Sequence, residues 1–399
     1  MGTSVYVAHV GIISPIGNNL AENLQAFEEH RSGVDRAQFL KTRHDAEFPL
    51  AEVKFTNEKL ANKYDLDSGL SRTILLSYAA AAEALAPFDR KQINEFRTGF
   101  ISASTVGGMD KTESFFEDYI NDSQSGDLKL VMHHDCGKPT DYVCNKLGLK
   151  GFVTTISTAC SSSANAIMLG ARMIKSGQLD VVVAGGVDAL TRFTLNGFNT
   201  LMIVDREQSR PLDQTRVGLN LGEGAAYVVL MSEHAAKVFA PNILCKISGY
   251  CNTNDSFHQT ALSDDGKGPF LAMQGALQMS GLLPSDISYI NMHGTGTQNN
   301  DQAEGKAVEK IFHPNYPKLS STKSFTGHTL GASGAIEAVF SSMAINKGLI
   351  FPNFTFNQPI DGLHIKPETT FQKNVSVNHV LSNSFGFGGN CTSLIFSKI

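Results

Sequence analysis

Gly151-Phe152-Val153-Thr154-Thr155-Ile156-Ser157-Thr158-Ala159-Cys160-Ser161-Ser162-Ser163-Ala164-Asn165-Ala166-Ile167-Met168 reads as a strand, a tight turn of small residues, and a helix that starts at Cys160. A thiol at a helix N-terminus has its thiolate stabilised by the helix dipole and by unpaired backbone N–H groups. The same N–H groups can hold an oxyanion. Cys160 in this setting suits attack on a carbonyl. Its bland alternative is a buried, inert cysteine. The turn alone divides evenly between the two, and histidine motifs farther along decide.

The chain has 399 residues, 42% hydrophobic and 18% charged, enough for one large domain or two fused halves. A net charge of −5 argues against nucleic acid as a partner. The six cysteines include no CxxC pair, which fits free thiols in a reducing cytoplasm rather than a disulfide framework. The first residues, Met1 to Tyr6, carry no basic start and no long apolar core, so no signal peptide is expected. No apolar run reaches the ~18 residues of a membrane helix, so no membrane insertion is expected.

Short apolar strands alternate with helices, the pattern of an α/β protein with buried sheets. Strands are predicted at Val5–Ile13, Thr98–Ala103 and Val181–Gly185; helices at Leu20–Glu29, Ser71–Ala86 and Ala164–Lys175. The plan then restarts. Ile243–Gly249 echoes the opening strand and Pro269–Met279 reads as a helix. Ile287–Met292 runs into His293, Ala335–Lys347 is a helix, and Val380–Asn383 and Ser393–Ser397 close the chain as strands. The division is into halves 1–240 and 241–399. No low-complexity linker separates them, so they should pack as one unit.

Three further motifs carry chemistry. His293-Gly294-Thr295-Gly296-Thr297 ends a predicted strand. Lys323-Ser324-Phe325-Thr326-Gly327-His328 leads into the small-residue helix with Glu337. Asn383-Ser384-Phe385-Gly386-Phe387-Gly388-Gly389-Asn390 is a glycine loop bearing two rings. His133-His134-Asp135-Cys136 looks metal-like, but with no second cluster it reads as a solvated loop or subunit contact.

With Arg210-Pro211-Leu212-Asp213 and Gly222-Glu223-Gly224-Ala225, these motifs, in this order, resemble the β-ketoacyl-[acyl carrier protein] synthases, condensing enzymes of the thiolase superfamily. The resemblance spans essentially the whole chain. It implies a five-layer αβαβα thiolase-like fold from two duplicated halves, the first holding the nucleophile and the second the catalytic His, Lys and gating loop. It implies decarboxylative Claisen condensation of malonyl carrier protein with an acyl chain on Cys160. His293 and His328 would donate hydrogen bonds to the enolate, with Lys323 setting the state of His328. Which His positions Cys160 stays open. The N–H groups of Cys160 and Phe387 would form the oxyanion hole, Phe385, Phe387 and Gly388 the gate, and Thr295 and Thr297 the substrate contacts. Asp301 and Glu304 would fix the His293 loop. Asn291, Glu337, Ser382 and Asn383 match a structural monovalent-cation site; no other cofactor is required, and phosphopantetheine arrives on the carrier protein. The expected partners are acyl- and malonyl-loaded carrier protein and a second subunit, in a homodimer or a heterodimer with a related chain. Two histidines with the Cys favour this class over the initiating synthases, whose pattern is Cys-His-Asn.

Some positions depart from the pattern. Asn390-Cys391 replaces Thr-Asn or Gln-Asn, Leu212 replaces Phe or Trp, and Leu195–Gln208 is short. Carrier-facing basic residues are sparse, with Lys59, Lys63, Arg72, Arg206 and Arg210 as candidates. Ser102–Thr112 is the expected pocket floor across a dimer interface. These departures leave room for a specialised synthase of an aryl polyene or polyketide pathway. A non-catalytic chain-length subunit would lack Cys160. A coenzyme A thiolase would need a second catalytic Cys, and Cys391 follows a synthase-type loop instead.

Overall fold

The computed structural model describes Ser4–Phe239 and Asn242–Ile399. The boundary expected at Ala240 and Pro241 lies outside the described residues. Ten strands build the sheet: β1 Val5–Ile13, β2 Thr98–Ala103, β3 Phe152–Ile156, β4 Val181–Asp188 and β5 Gly224–Ser232, then β6 Cys245–Asn254, β7 Tyr289–Asn291, β8 Lys318–Ser320, β9 His379–Gly386 and β10 Asn390–Ser397. The helices of the layers are α1 Arg72–Ala84, α2 Met109–Asn121, α3 Gly137–Lys146, α4 Ser162–Lys175, α5 Arg192–Thr200, α6 Lys267–Ser280, α7 Gln298–Phe312 and α8 Ser333–Lys347.

The strand order is β8-β7-β9-β10-β6-β1-β5-β4-β2-β3. Outward from its centre, each half runs first, fifth, fourth, second, third. The senses match too: β2 lies parallel to β3 and β4 as β7 does to β8 and β9, while β5 and β10 are antiparallel to both neighbours. Two copies of one plan therefore meet where Val5–Val7 pairs with Cys245–Ile247, which joins them into one sheet. Sequence order suggested this duplication; pairing and register display it.

Five layers follow from what each face packs against. α1 and α3 cover the outer face of the first half, and α6 and α7 that of the second. α4 and α8 lie between the halves, contacting strands of both. α8 is buried from Ser333 to Ile345. That explains its lack of a polar face, because a helix walled on all sides needs none. Strands β4 and β5 are buried along their whole length, which is why Val181-Val182-Val183 and Tyr227-Val228-Val229-Leu230 show no polar alternation. The helix after Cys160 starts at Ser162, between the cysteine itself and the predicted Ala164, because the turn consumes Cys160 and Ser161.

One expectation is overturned. Arg72 does not face solvent: its guanidinium is buried against Glu223, with further bonds to the Val53 and Phe55 carbonyls and to Asn57. Glu223 also accepts the Val53 and Leu190 N–H groups. Removing one partner of such a pair strands a buried charge. Arg72→Leu should lower the unfolding free energy by about 3–5 kcal/mol. Arg97→Leu, at an exposed ion pair with Asp180, should leave the denaturant midpoint nearly unchanged. Equal midpoints for the two variants would refute this reading of the buried pair.

Candidate active site

Cys160 sits on a strand-to-helix elbow. Ala159 adopts a left-handed φ of 52°, a conformation that costs a non-glycine residue roughly 1–2 kcal/mol. The Ser162 hydroxyl holds the turn, accepting the Thr158 N–H at 2.8 Å and donating to the Ala159 carbonyl at 2.5 Å. The thiol is buried.

His328 Nε2 lies 3.1 Å from Cys160 Sγ. The tautomer follows from the other nitrogen. His328 Nδ1 receives the Leu330 N–H at 3.3 Å, and a backbone N–H can only donate. Nδ1 is therefore the acceptor, the ring proton is on Nε2, and Nε2–H donates to the sulfur. Ser333 Oγ lies 3.0 Å from the same Nδ1. His328, left undecided by the sequence, is the ring that contacts the nucleophile, and it contacts it as a donor.

His293 meets His328 edge to face, with centroids 5.4 Å apart. Lys323 Nζ lies 3.3 Å from His293 Nδ1, donates to the His293 carbonyl at 2.5 Å, and pairs with Glu337. The sequence assigned Lys323 to His328, and its charge does act on that ring, but its direct contacts are with His293. An ammonium beside Nδ1 makes that nitrogen the acceptor and leaves the His293 proton on Nε2 as well. Both rings have pKa values well below the usual histidine range, His293 through burial, Lys323 and His328, and His328 through burial and Lys323. Both are neutral donors at pH 7.

The loop bearing His293 is held by buried carboxylates from α7. Glu304 accepts the N–H groups of His293 and Gly294 at 2.9 and 2.8 Å, and Asp301 those of Thr295 at 2.9 Å and Gly296. Burial pushes Glu304 up to about 7, against the pull of those N–H groups.

Cys160, His293, Thr295, Thr297, His328, Phe385 and Phe387 line one cavity of about 250 Å³. Phe385 is buried and packs edge-on against His293. Gly388 is exposed at the crown of the loop. Gly386 must be glycine: a Cβ there would stand 2.9 Å from the Thr158 carbonyl and 3.1 Å from the Cys160 nitrogen. A second, apolar cavity of about 360 Å³ shares Cys160, Phe198 and Phe387, and adds Thr105, Val106, Phe193 and Leu201. Thr105 and Val106 are the only members of the expected floor segment Ser102–Thr112 that line it.

Asp188 was missed by sequence reasoning. This buried carboxylate ends the apolar strand β4. It accepts from Ser104 Oγ, Thr105 N and Oγ1, Val106 N and Gly331 N, tying the apolar pocket to the loop behind His328. A lone acid closing a wholly apolar strand was its signal. Ser333 and Phe198 were also unanticipated; neither carries a pattern of its own.

The four residues read as a cation site divide. Asn291 and Ser382 are partners across β7 and β9, and Asn291 Oδ1 is buried without a hydrogen-bond partner among the described residues. Glu337 is committed to Lys323 and Ser384, and Asn383 to Glu304 and Ser393. The fit to a hard cation rests on the Asn291 oxygen. No cluster of three or more His, Cys, Asp or Glu suited to a metal occurs among the described residues, so the His133–Cys136 run gathers no further ligands.

Family profiles described as beta-ketoacyl synthase, N-terminal and C-terminal domains, match residues 3–236 and 244–357. The chain belongs to the β-ketoacyl synthase family. It is 33% identical to 3-oxoacyl-[acyl-carrier-protein] synthase 2 of Coxiella burnetii and 31% identical to that of Vibrio harveyi, over 99% of this chain and 98% of each relative. Among solved structures, the ishigamide ketosynthase/chain length factor superposes with a TM-score of 0.93 at 26% identity, covering 100% of both chains. A chain of the complex of the ketosynthase ApeO with its chain length factor ApeC from Xenorhabdus doucetiae gives 0.84 at 29% identity, covering 100% of this chain and 98% of that one.

The electrostatics of the nucleophile differ from the sequence expectation. Burial pushes the Cys160 thiol up to about 12, outweighing Lys323 and the Phe387 N–H, which favour the thiolate. The resting group is a thiol. Alkylation of Cys160 by iodoacetamide, followed by peptide mass, should keep accelerating as pH rises past the ordinary thiol value of about 8.5. A rate that levels off below that value would show a preformed thiolate instead.

Proposed function

We propose that this protein is a β-ketoacyl-acyl carrier protein synthase that elongates a Cys160-bound acyl chain with malonyl carrier protein. The observation that carries this reading is a pair of neutral imidazoles in one cavity with a buried thiol, His328 touching the sulfur through Nε2 and His293 packed edge to face against His328. Neutral donors suit an oxygen that gains charge, and they do not compete for the proton of the thiol.

In the first half-reaction Cys160 Sγ attacks the acyl thioester, and the carrier's phosphopantetheine thiol leaves with the cysteine's proton. The N–H groups of Cys160 and Phe387 hold the oxyanion. The malonyl thioester then enters between Thr295, Thr297 and the histidines. Its carboxylate C–C bond breaks, CO2 departs, and the electron pair becomes an enolate whose oxygen accepts from His293 and His328. The enolate carbon attacks the Cys160 thioester and the sulfur leaves. Lys323 keeps His293 in the donating tautomer, and Glu337 holds Lys323. A structural monovalent cation would sit on the Asn291 oxygen beside Ser382; no step passes through it.

Two partners follow. The carrier protein delivers both substrates; Lys59 and Lys63 are exposed on the helix Asn57–Tyr64, whereas Arg206 and Arg210 are engaged by Glu47 and by Asp205 with Glu207. A second synthase-like subunit would cover α2, which has no buried residue and exposes Phe116, Tyr119 and Ile120, together with Phe152 and Val153 on edge strand β3. The identical chain and a related chain-length subunit are both candidates. We place the protein in the cytoplasm, since a nucleophile that must stay a thiol needs reducing surroundings.

Phe193, Phe198 and Phe387 ring the apolar cavity. Three aromatic walls, with the likeness to ketosynthases solved with chain length factors, favour a second reading: a specialised synthase for aryl or polyene chains. Intact mass of Cys160 after exposure to a panel of acyl carrier proteins separates the two. Saturated chains that load and then leave on malonyl addition indicate fatty-acid elongation; loading restricted to unsaturated or aryl chains indicates the specialised pathway.

Cys160→Ala should abolish condensation and leave malonyl decarboxylation. Condensation surviving in that variant would refute the nucleophile. His293→Ala or His328→Ala should slow CO2 release by about 10²–10³, the usual cost of one oxyanion donor. Unchanged CO2 release in both would show that the rings do not hold the enolate.

A further inference from the structure

The sequence marked Asn390 as a departure, and the structure gives it work. Its carboxamide oxygen accepts three hydrogen bonds: Ser161 Oγ at 2.7 Å, Asn165 Nδ2 at 2.9 Å and Asn252 Nδ2 at 2.7 Å. Ser161 is the residue after the nucleophile, Asn165 lies one turn into α4, and Asn252 is on β6. Two amide groups pointing their hydrogens at one atom fix that atom as oxygen.

Only Gly388 and Gly389 separate Asn390 from Phe387, whose ring stacks on Phe198 at 5.7 Å over the apolar cavity. The crown between them is tied to its neighbours mainly through backbone, by the Gly388 N–H to Gln259 O at 2.7 Å, the Asp255 N–H to Gly389 O at 2.8 Å and Asn254 Nδ2 to Gly388 O at 2.9 Å, and none of these bonds reaches the nucleophile's helix. The base of the loop is thus anchored while its tip covers the pocket.

Each donor to Asn390 has a second acceptor within reach. Ser161 Oγ is 2.7 Å from the Thr158 carbonyl, Asn165 Nδ2 is 2.9 Å from Thr158 Oγ1, and Asn252 Nδ2 is 2.8 Å from Thr392 Oγ1. Ser161 has one hydroxyl proton and can serve one acceptor at a time. If Asn390 withdraws, the Ser161 proton turns to Thr158 and the two N–H groups of Asn252 keep Thr392 Oγ1 and Asn165 Oδ1, so only one N–H of Asn165 loses its acceptor. The cost of leaving buried donors unpaired is confined to that one group. Such bonds hold firmly yet release cheaply.

We propose that Asn390 is the latch of the acyl-pocket gate. Its carboxamide oxygen holds the Phe387 loop shut against the nucleophile's helix, and gate opening passes the Ser161 proton to the Thr158 carbonyl. Asn390 is a positioning residue: it acts through Phe387, presenting the Phe387 N–H to the site when latched and freeing the pocket when released. This rests on the condensing-enzyme reading, in which the acyl chain enters behind Phe387.

The test compares two alkylating reagents on the full-length protein. Iodoacetamide needs only the sulfur; N-octyl iodoacetamide must also seat its tail in the apolar pocket. Asn390→Leu should raise the rate of the tailed reagent at Cys160 about tenfold, the effect of one lost hydrogen bond of ordinary strength, and leave iodoacetamide unchanged. Asn390→Asp, whose carboxylate accepts the same three donors, should behave as wild type. Ser161→Ala, which removes one donor, should shift the ratio in the same direction and by less. It also serves if Asn390→Leu does not fold. A ratio unchanged in both Asn390→Leu and Ser161→Ala, or Asn390→Asp matching Asn390→Leu, overturns the latch. Octanoyl carrier protein, offered separately to the wild type, tests the underlying reading. If it loads no chain while Asn390→Leu still shifts the ratio, the condensing activity falls and the latch stands.

Discussion

The two central helices touch through side chains scarcely larger than the backbone, and the site exists because they do. A Cβ on Gly334 of α8 would stand 2.8 Å from the backbone nitrogen and Cβ of Ala164 on α4. The Ser163 hydroxyl accepts the Ala335 N–H at 2.9 Å. α4 carries the nucleophile's elbow from the first half; α8 carries Glu337 and follows His328 from the second. Duplication supplies two similar scaffolds, and this close approach makes their loops converge.

Around that contact the protein buries charge only where it is answered. Lys323 meets Glu337, Arg72 meets Glu223, and Asp188, Asp301 and Glu304 are answered mainly by backbone N–H groups. Carboxylates satisfied by main-chain donors fix the position of loops, because each bond ends on backbone rather than on a movable side chain. The His293 loop, the floor of the apolar pocket and the turn after His328 are all held in this way. The histidines, by contrast, stay neutral, and the protons on their Nε2 atoms are set by what Nδ1 meets.

Much of this was legible beforehand. Strands with strong apolar runs fell where expected, Val5–Ile13 and Thr98–Ala103 to the residue. The motif residues Cys160, His293, Lys323, His328 and Phe387 converge on one site. What the sequence hid was pairing. Gly224–Ser232 was not read as a strand, for its glycine-rich approach masks a run that only sheet neighbours make regular. Arg72 looked like a surface charge because its partner is distant in sequence. Lys323 stands five residues before His328 and acts on that ring only through its charge, while its hydrogen bonds go to His293, thirty residues away. The assignment of ring protons needed Leu330, whose contribution is a backbone N–H and leaves no mark on residue identity.

The donor locked onto His328 Nδ1 has a consequence for the reaction as a whole. Neither imidazole can store a proton between half-reactions, since each already carries one on Nε2 and is buried too deeply to accept a second. Loading is balanced in hydrogen: the thiol's proton leaves with the carrier. Condensation is not, because CO2 departs from a carboxylate and the sulfur is released as an anion. Each cycle therefore takes up one proton from bulk water, and neither histidine supplies it.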